Sequence, residues 1–123
     1  MPMNISETEF LILNYLWSQS EPKTFSQIME HFNSCEKKGW KKQTLNTFLL
    51  RLTKKGYLIA DKNAGRALYS PSISSEEYHQ QYARQILDES FGSSLFNFIS
   101  AFTGNKKLSK NEKEELLEYL KGL

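Results

Sequence analysis

Apolar residues recur at helical spacing in several segments of the chain, which indicates amphipathic helices. The first such segment begins after Ser6, which forms the capping-box pattern of a helix N-terminus together with Glu9. Its apolar stripe continues to Trp17. Pro22 then prevents further helix, because proline disfavours helical geometry in the residue before it. The sequence therefore predicts a first helix that buries one face.

Two further helices are predicted before the middle of the chain. The first is short and covers 27–32, with Ser26 as its N-cap. The second covers 41–55, where leucines and a phenylalanine form one face and polar residues the other. Gly56 is its expected end, because glycine adopts the left-handed conformation without steric cost. Trp40 is expected to pack onto the first turns of this helix as a hydrophobic staple.

A β-hairpin is predicted after the third helix. Residues 57–60 and 67–69 are short apolar runs, and Asn63-Ala64-Gly65 between them is a turn pattern. Pro71 is expected to bar continuation of a central strand, because proline cannot donate a hydrogen bond to the ladder. Three helices followed by a two-stranded hairpin is the order of a winged helix-turn-helix domain.

Three more helices are predicted after the hairpin. Each begins at a serine, and two of these serines have a glutamate three positions later in the capping-box pattern. Gly92 and Gly104 are expected to interrupt the helices, since glycine is a poor helix former. The predicted helices open at Ser74 with Glu77, at Ser93 or Ser94, and at Ser109 with Glu112.

Charge is distributed unevenly along the 123 residues. The formal net charge is only +2, yet residues 37–66 contain nine lysines and arginines and a single acid, Asp61. Residues 72–123 contain six basic and eight acidic residues. A basic block beside a mildly acidic remainder indicates a surface for a polyanion. The alternative is an ordinary lysine-rich, solvated surface.

The third predicted helix has the size that the major groove of B-DNA admits. Polar side chains near its N-terminus can reach base edges, and lysines there can contact phosphates or guanine. Lysines at a helix N-terminus oppose the helix dipole, and a bound anion would offset that conflict. Cations at the hairpin tip can follow the DNA backbone or enter the minor groove. The predicted DNA-binding residues are Lys41, Lys42, Gln43, Thr44, Asn46, Thr47, Lys62 and Arg66.

The tail carries more large apolar residues than three short helices can bury within one small subunit. Pairing of two copies about a two-fold axis would bury them, so we predict a homodimer. The predicted fold is mainly α (α+β), with a winged helix-turn-helix DNA-binding domain over 1–72 and a helical dimerisation domain over 73–123. The predicted dimerisation residues are Tyr78, Tyr82, Ile86, Phe91, Leu95, Phe98, Phe102, Leu116 and Leu120.

Other classes of protein are disfavoured by what the sequence lacks. Cys35 is the only cysteine, which suits a reducing cytoplasm. We expect no membrane span and no signal peptide, because neither a long apolar run nor a basic and apolar N-terminus is present. His31 and His79 are isolated, and no metal-ligand spacing or phosphate-binding loop accompanies them. We therefore expect no enzyme, no metal and no cofactor.

Motifs spread over nearly the whole chain match one protein family. They are residues 5–9, Trp17, Trp40, 44–52, 54–56, Gly65-Arg66, Tyr69, Pro71, 91–95 and 108–109. On these residues the sequence resembles the penicillinase repressor family of bacterial winged-helix regulators, which includes BlaI, MecI and CopY. Two departures fall at the start of the third helix. This chain has Lys41-Lys42 where the family often has Ser-Pro, and Gln43 where the family has a lysine.

The resemblance implies a homodimer that binds an inverted-repeat operator and represses transcription. It implies that Thr44 and its neighbours read bases and that the tail helices form the dimer interface. In the β-lactam-responsive members a signalling protease cuts an Asn–Phe bond in the tail, which makes that protease a candidate partner. The corresponding bond here joins Ala101 and Phe102, so these are the candidate residues of a proteolytic switch. Because the asparagine is missing, we favour the interpretation of this segment as a core-facing apolar helix.

Two alternatives to a repressor follow from the residues. The first is a winged-helix module for protein interaction that binds no specific DNA. Polar residues at the start of the third helix argue against it. The second is a regulator that senses a small molecule among Phe91, Phe96, Phe98 and Phe102. The tail has no cluster of polar residues to mark such a pocket, which argues against the second.

Overall fold

The computed structural model describes residues 4–63, 65–104 and 107–123, so Ala64 of the predicted turn lies outside the described residues. A π-helical turn, His31–Cys35, directly extends the second helix. The remaining elements are α1 (Glu7–Trp17), β1 (Lys23–Thr24), α2 (Phe25–Glu30), α3 (Lys42–Lys54), β2 (Leu58–Asp61), β3 (Leu68–Pro71), α4 (Ser75–Ser90), α5 (Leu95–Thr103) and α6 (Lys110–Lys121).

The chain forms two compact units, divided between Ala83 and Arg84 within α4. The sequence put the domain boundary at 72/73, because the residue pattern changes after Pro71. Packing divides the chain later, since Tyr78 is 1% exposed and belongs to the core of the first unit. The first half of α4 is therefore part of the same unit as the sheet and the first three helices.

Two of the predicted capping boxes are present. At α1, the Ser6 hydroxyl accepts the Glu9 N–H at 3.1 Å, and the Glu9 carboxylate accepts the Ser6 N–H at 3.1 Å. Ser109 and Glu112 form the same pair of bonds at α6. Each box satisfies two backbone donors that a helix start leaves without intrahelical partners. For these two helices, the sequence located the first turn correctly.

The start of α2 was predicted wrongly. Its N-cap is Thr24, whose hydroxyl accepts the Gln27 N–H at 3.2 Å, while the Gln27 side chain accepts the Thr24 N–H at 2.9 Å. Ser26 lies inside the first turn of the helix. Thr24 and Gln27 form the same local capping-box pattern as Ser6 and Glu9, and the choice of Ser26 overlooked it. Pairing of β1 also holds Thr24 in the extended geometry of an N-cap.

The predicted two-stranded wing is part of a three-stranded antiparallel sheet with the order β1-β3-β2. Lys23 lies opposite Tyr69 in the added strand β1. Pro71 is the last residue of β3 and faces Leu58 of β2. The central strand β3 pairs with β1 only at Leu68 and Tyr69. Pro71 therefore lies beyond the part of β3 that has a strand on both sides, and proline is excluded from that part as expected.

The core of the first unit is made by α1, α2, the π-helical turn, α3, β2 and the start of α4, together with Ile5 before α1. Apolar side chains from all of these elements meet there. Burying such side chains supplies the main stabilising free energy of a small domain. The fully buried members of this core are Ile5, Ile12, Leu13, Leu16, Ile28, Phe32, Leu45, Leu49, Leu52, Leu58 and Tyr78.

The second unit, Arg84–Leu123, packs differently. Its helices α5 and α6 have no buried residue, although the Phe98 ring contacts Phe91 and Phe102 at centroid distances of 5.4 Å and 6.1 Å. A groove of about 580 Å³ opens between these helices. Its lining is Phe98, Ile99, Phe102, Thr103, Leu108, Glu112, Glu115, Leu116 and Tyr119.

Candidate nucleic-acid interface

Helix α3 has two distinct faces. Leu45, Leu49 and Leu52 are at most 1% exposed and fix the helix against the core. Asn46 and Thr47, on the opposite side, are exposed. Thr44 is half-buried at the border between the two faces. The leucines therefore decide which polar side chains α3 presents to solvent.

The N-terminus of α3 is free of any side-chain cap. Its N-cap is Lys41, in extended geometry and without a side-chain hydrogen bond to the helix. The Lys41 carbonyl accepts the N–H groups of Thr44 and Leu45 at 3.0 Å and 3.2 Å. Lys41, Lys42 and Gln43 are all exposed around this positive end of the helix dipole. Cationic side chains at an uncapped helix N-terminus favour an anion such as a phosphate.

The loop before α3 is held by Asn33, which is not among the predicted functional residues. The Asn33 amide donates to the Trp40 carbonyl at 2.9 Å, and its side-chain oxygen accepts the Trp40 N–H at 2.7 Å. This pair of bonds closes the loop between the π-helical turn and α3. Asn33 therefore positions the start of α3, and its partner seven residues away left no local pattern in the sequence.

Trp40 packs as a structural residue. Its ring lies 4.8 Å from Phe32, nearly parallel, and 5.6 Å from Phe48 in the second turn of α3. These contacts agree with the predicted packing of Trp40 onto α3, although it reaches the second turn rather than the first. Together with the Asn33 bonds, they anchor the N-terminus of α3 to the preceding helix.

The connection between β2 and β3 presents the predicted wing cations. Lys62 and Arg66 are both exposed there. The Asp61 carboxylate accepts the Asn63 N–H at 2.9 Å, and Gly65 has a φ of +84°, which favours glycine. The hairpin thus carries a cation on each side of its turn.

The last basic residue of the 41–55 stretch has a different role. The Lys55 ammonium bonds the buried carboxylate of Glu9 at 3.0 Å. Lys54 and Arg51, by contrast, are exposed on α3. The basic block therefore divides into exposed cations and one cation bound to the core.

Comparison with known proteins identifies the family of this chain. The family model described as penicillinase repressor matches residues 5–122. The chain belongs to the penicillinase repressor family. A penicillinase repressor of Bacillus licheniformis is 29% identical over 116 residues, covering 94% of this chain and 88% of that protein. The methicillin resistance regulatory protein MecI of Staphylococcus aureus (strain N315) is 22% identical over 116 residues, covering 94% and 92%.

This penicillinase repressor family member also has a similar solved structure. The DNA-binding domain of the repressor BlaI, determined in solution, matches with a TM-score of 0.53 and 27% sequence identity. The match covers 63% of this chain and 92% of that domain. The likeness confirms the predicted mainly helical α+β winged-helix fold.

The predicted dimerisation residues of this family member fall into two groups. Tyr78 is buried in the core of the first unit, so its assignment to a dimer interface is corrected: the side chain has no free surface for a partner. The other eight keep exposed or half-buried surface. Those half-buried are Tyr82, Ile86, Phe91, Phe98 and Leu116, and those exposed are Leu95, Phe102 and Leu120.

Ala101 and Phe102, the candidate cleavage residues, are exposed in the last turn of α5. Among the described residues, no three histidine, cysteine or acidic side chains are grouped to hold a metal ion. None of the helices in the described ranges is long and apolar enough to cross a membrane.

Proposed function

We propose that this penicillinase repressor family member is a dimeric transcriptional repressor that binds an inverted-repeat operator through α3 and the β2–β3 connection. The observation that carries the proposal is the exposed polar face of α3, fixed by the three buried leucines on its other side. The name of its Bacillus licheniformis relative, a penicillinase repressor, supports it. So does the similarity of its fold to a DNA-binding domain.

The roles of individual residues follow from their chemistry. Gln43, Asn46 and Thr47 offer hydrogen-bonding groups to base edges in the major groove, and Thr44 offers its methyl group at the border of the face. Exposed lysines at the start of α3 contact phosphates together with the free N–H groups of the helix end. Lys62 and Arg66 follow the backbone or enter the minor groove. The protein acts by binding alone, in the cytoplasm, with no cofactor and no catalytic step.

Dimerisation is supported by the apolar surface of the second unit. Phe96 is 80% exposed, Phe102 69% and Leu117 56%, which leaves large apolar side chains of α5 and α6 in water. Apolar surface of this extent is typical of interaction sites. A two-fold pairing would cover it and place two α3 helices about one turn of DNA apart.

Cleavage by a signalling protease is the proposed route by which the repressor is released from DNA, and it requires α5 to open. The Ala101–Phe102 bond lies within helical backbone. Local unfolding of that last turn would have to precede cleavage, because proteases act on opened chain. The test is incubation of the intact protein with an extract of whole cells, membranes included, followed by mass measurement of the fragments. Fragments that end at Ala101 and begin at Phe102 are expected, and an intact bond there removes this route.

The experiment that tests the function is selection from a randomised duplex pool at about 150 mM salt, a concentration at which nonspecific attraction is weak. The expected result is an enriched inverted repeat. Sedimentation of the complex should give two copies of the 14.3 kDa chain on one duplex. If no sequence is enriched and binding vanishes as salt rises, the protein-interaction module replaces this proposal. If one copy binds a single half-site, the dimer is wrong while the DNA-binding proposal stands.

A further inference from the structure

One leucine of α3 lies on the wrong side for a core residue. Leu50 is 53% exposed, whereas Leu49 beside it is 1% exposed. Leu50 follows Asn46 by four positions and Thr47 by three, so the three side chains are neighbours on the same face of the helix. With 3.6 residues per turn, Gln43 lies on this face as well, two turns earlier. Leu50 therefore sits among the side chains proposed to read bases.

The surroundings of Leu50 favour DNA over an apolar protein partner. Helix α3 contains no acidic residue, and its exposed cations include Lys42, Arg51 and Lys54. Every other exposed residue of the helix is polar. A single leucine within a basic, hydrogen-bonding surface complements a polyanion that carries one apolar group at the matching position.

Leucine can contribute only apolar contact, because its side chain has no hydrogen-bond donor or acceptor. In the major groove, thymine is the base that presents a methyl group, at its C5 position. We propose that Leu50 is a specificity-determining residue that selects thymine by packing against this methyl group. The proposal rests on the function proposed above. It adds an apolar base-contacting residue, about 12 Å along the helix from Lys42, to the polar residues near the N-terminus of α3 that are proposed to contact bases.

The test removes the leucine side chain and the thymine methyl group, first separately and then together. The duplex recovered from the randomised pool is synthesised with each thymine replaced in turn by deoxyuridine, which lacks only the 5-methyl group. The dissociation constant of the wild type and of Leu50→Ala is measured on each duplex at one salt concentration. Leu11→Ala is the matched control, since Leu11 is 37% exposed on α1 and outside the α3 surface. Alanine is a better helix former than leucine, so Leu50→Ala should keep α3 intact.

The expected result is one thymine in each half-site whose demethylation weakens binding of the wild type and of Leu11→Ala by about fourfold, the value of one buried methylene-sized group. For Leu50→Ala, the same demethylation should have no effect, because the contact is already lost. Demethylation effects that are equal in the wild type and in Leu50→Ala overturn the proposal, as does a wild type insensitive to every deoxyuridine. In both cases the operator is still bound, so only the role of Leu50 fails. If the pool yields no enriched sequence, the repressor function and this proposal fail together.

Discussion

The ammonium group of Lys55 lies 3.0 Å from each carboxylate oxygen of Glu9, which joins the first turn of α1 to the C-terminal end of α3. Glu9 is 2% exposed and also accepts the Ser6 N–H at 3.1 Å. The carboxylate therefore caps its own helix and ties down the helix proposed to bind DNA. An ion pair in this position differs from an exposed one, because removing one partner leaves a buried charge unpaired.

Replacing this lysine should destabilise the fold. For Lys55→Met we expect a loss of about 1–3 kcal/mol in the free energy of unfolding, because Glu9 keeps its burial and loses its charged donor. Urea denaturation followed by circular dichroism measures the change. Lys54→Met is the control at an exposed neighbour, where the expected change is within about 0.5 kcal/mol. Equal effects of the two substitutions would show that the pair with Glu9 contributes nothing specific.

The contribution of this pair should depend on pH. Burial alone raises the pKa of Glu9, but the hydrogen bonds from Lys55 and Ser6 and the charge of Lys55 outweigh burial and hold the pKa below its ordinary value of 4.5. A lowered folded-state pKa stabilises the protein above 4.5, and the stabilisation disappears as the pH falls through the folded value. The stability difference between the wild type and Lys55→Met should therefore shrink in acid. A difference that stays constant from neutral pH to about pH 3 contradicts this linkage.

Asn33→Ala should loosen the start of α3. The substitution removes both bonds to the Trp40 backbone, and we expect a loss of about 1–3 kcal/mol in stability. The more specific measurement is the hydrogen-exchange rate of the Trp40 amide. The free energy of opening obtained from this rate should fall by at least as much as the free energy of unfolding. Ser34→Ala, at the exposed next residue, is the control and should leave that amide protected. Unchanged exchange in Asn33→Ala would mean that the rings of Phe32 and Phe48 hold the loop without the asparagine.

Tyr78→Phe should be neutral or stabilising, by up to about 1 kcal/mol. The Tyr78 hydroxyl is buried, and within the described part of the chain it has no hydrogen-bond partner. Its ring lies 5.3 Å from Trp17 and 5.7 Å from Phe10, so phenylalanine keeps the packing that Tyr78→Ala would lose at a cost of about 3–5 kcal/mol. Thermal unfolding of the three proteins compares them. A clear loss of stability in Tyr78→Phe would reveal a bond made by the hydroxyl.

The Tyr78 side chain also predicts that the wild type and Tyr78→Phe differ in the pH dependence of their stability under alkaline conditions. Burial, with a smaller contribution from the hydroxyls of Tyr57 and Tyr82, raises the pKa of Tyr78 from 10.0 to about 12. Between these values the unfolded chain ionises while the folded protein does not, so the wild type should lose stability that Tyr78→Phe retains. Chemical denaturation at about pH 9 and about pH 11 measures it. Parallel losses in both proteins would assign the alkaline effect to other groups.

The base-reading and phosphate-binding assignments predict different effects of substitution on DNA affinity. Gln43→Ala should cost about 1–3 kcal/mol on the selected operator and relax the preference for one base pair, with little effect on random DNA. Lys41→Ala should weaken binding to every sequence and reduce the salt dependence. Titrations at several salt concentrations on operator and scrambled duplexes separate the two. Equal losses on both duplexes for both variants would remove the base-reading role of Gln43.

The amino-acid sequence alone determined those features that depend on residues within a turn or two of one another. The capping boxes at Ser6 and Ser109 and the end of α3 at Gly56 are of this kind. At Gly56, with a φ of +87°, the N–H groups of Gly56 and Tyr57 return to the carbonyls of Thr53 and Leu52. The exposed and buried faces of α3 are local too, because helical spacing alone sorts them. Family membership was also evident from the sequence, and the family comparison confirmed it.

Only the tertiary structure decided the features whose partners lie far apart in the chain. Glu9 and Lys55 are 46 residues apart, and the Trp17 indole donates to the carbonyl of Ile73 across 56 residues. The pairing of Lys23 with Tyr69, which makes β1 a strand, is equally remote. No local pattern specifies such partners, because each contact forms only when several elements have already packed together. The burial of Tyr78, which removed it from the predicted dimer interface, arose in the same way.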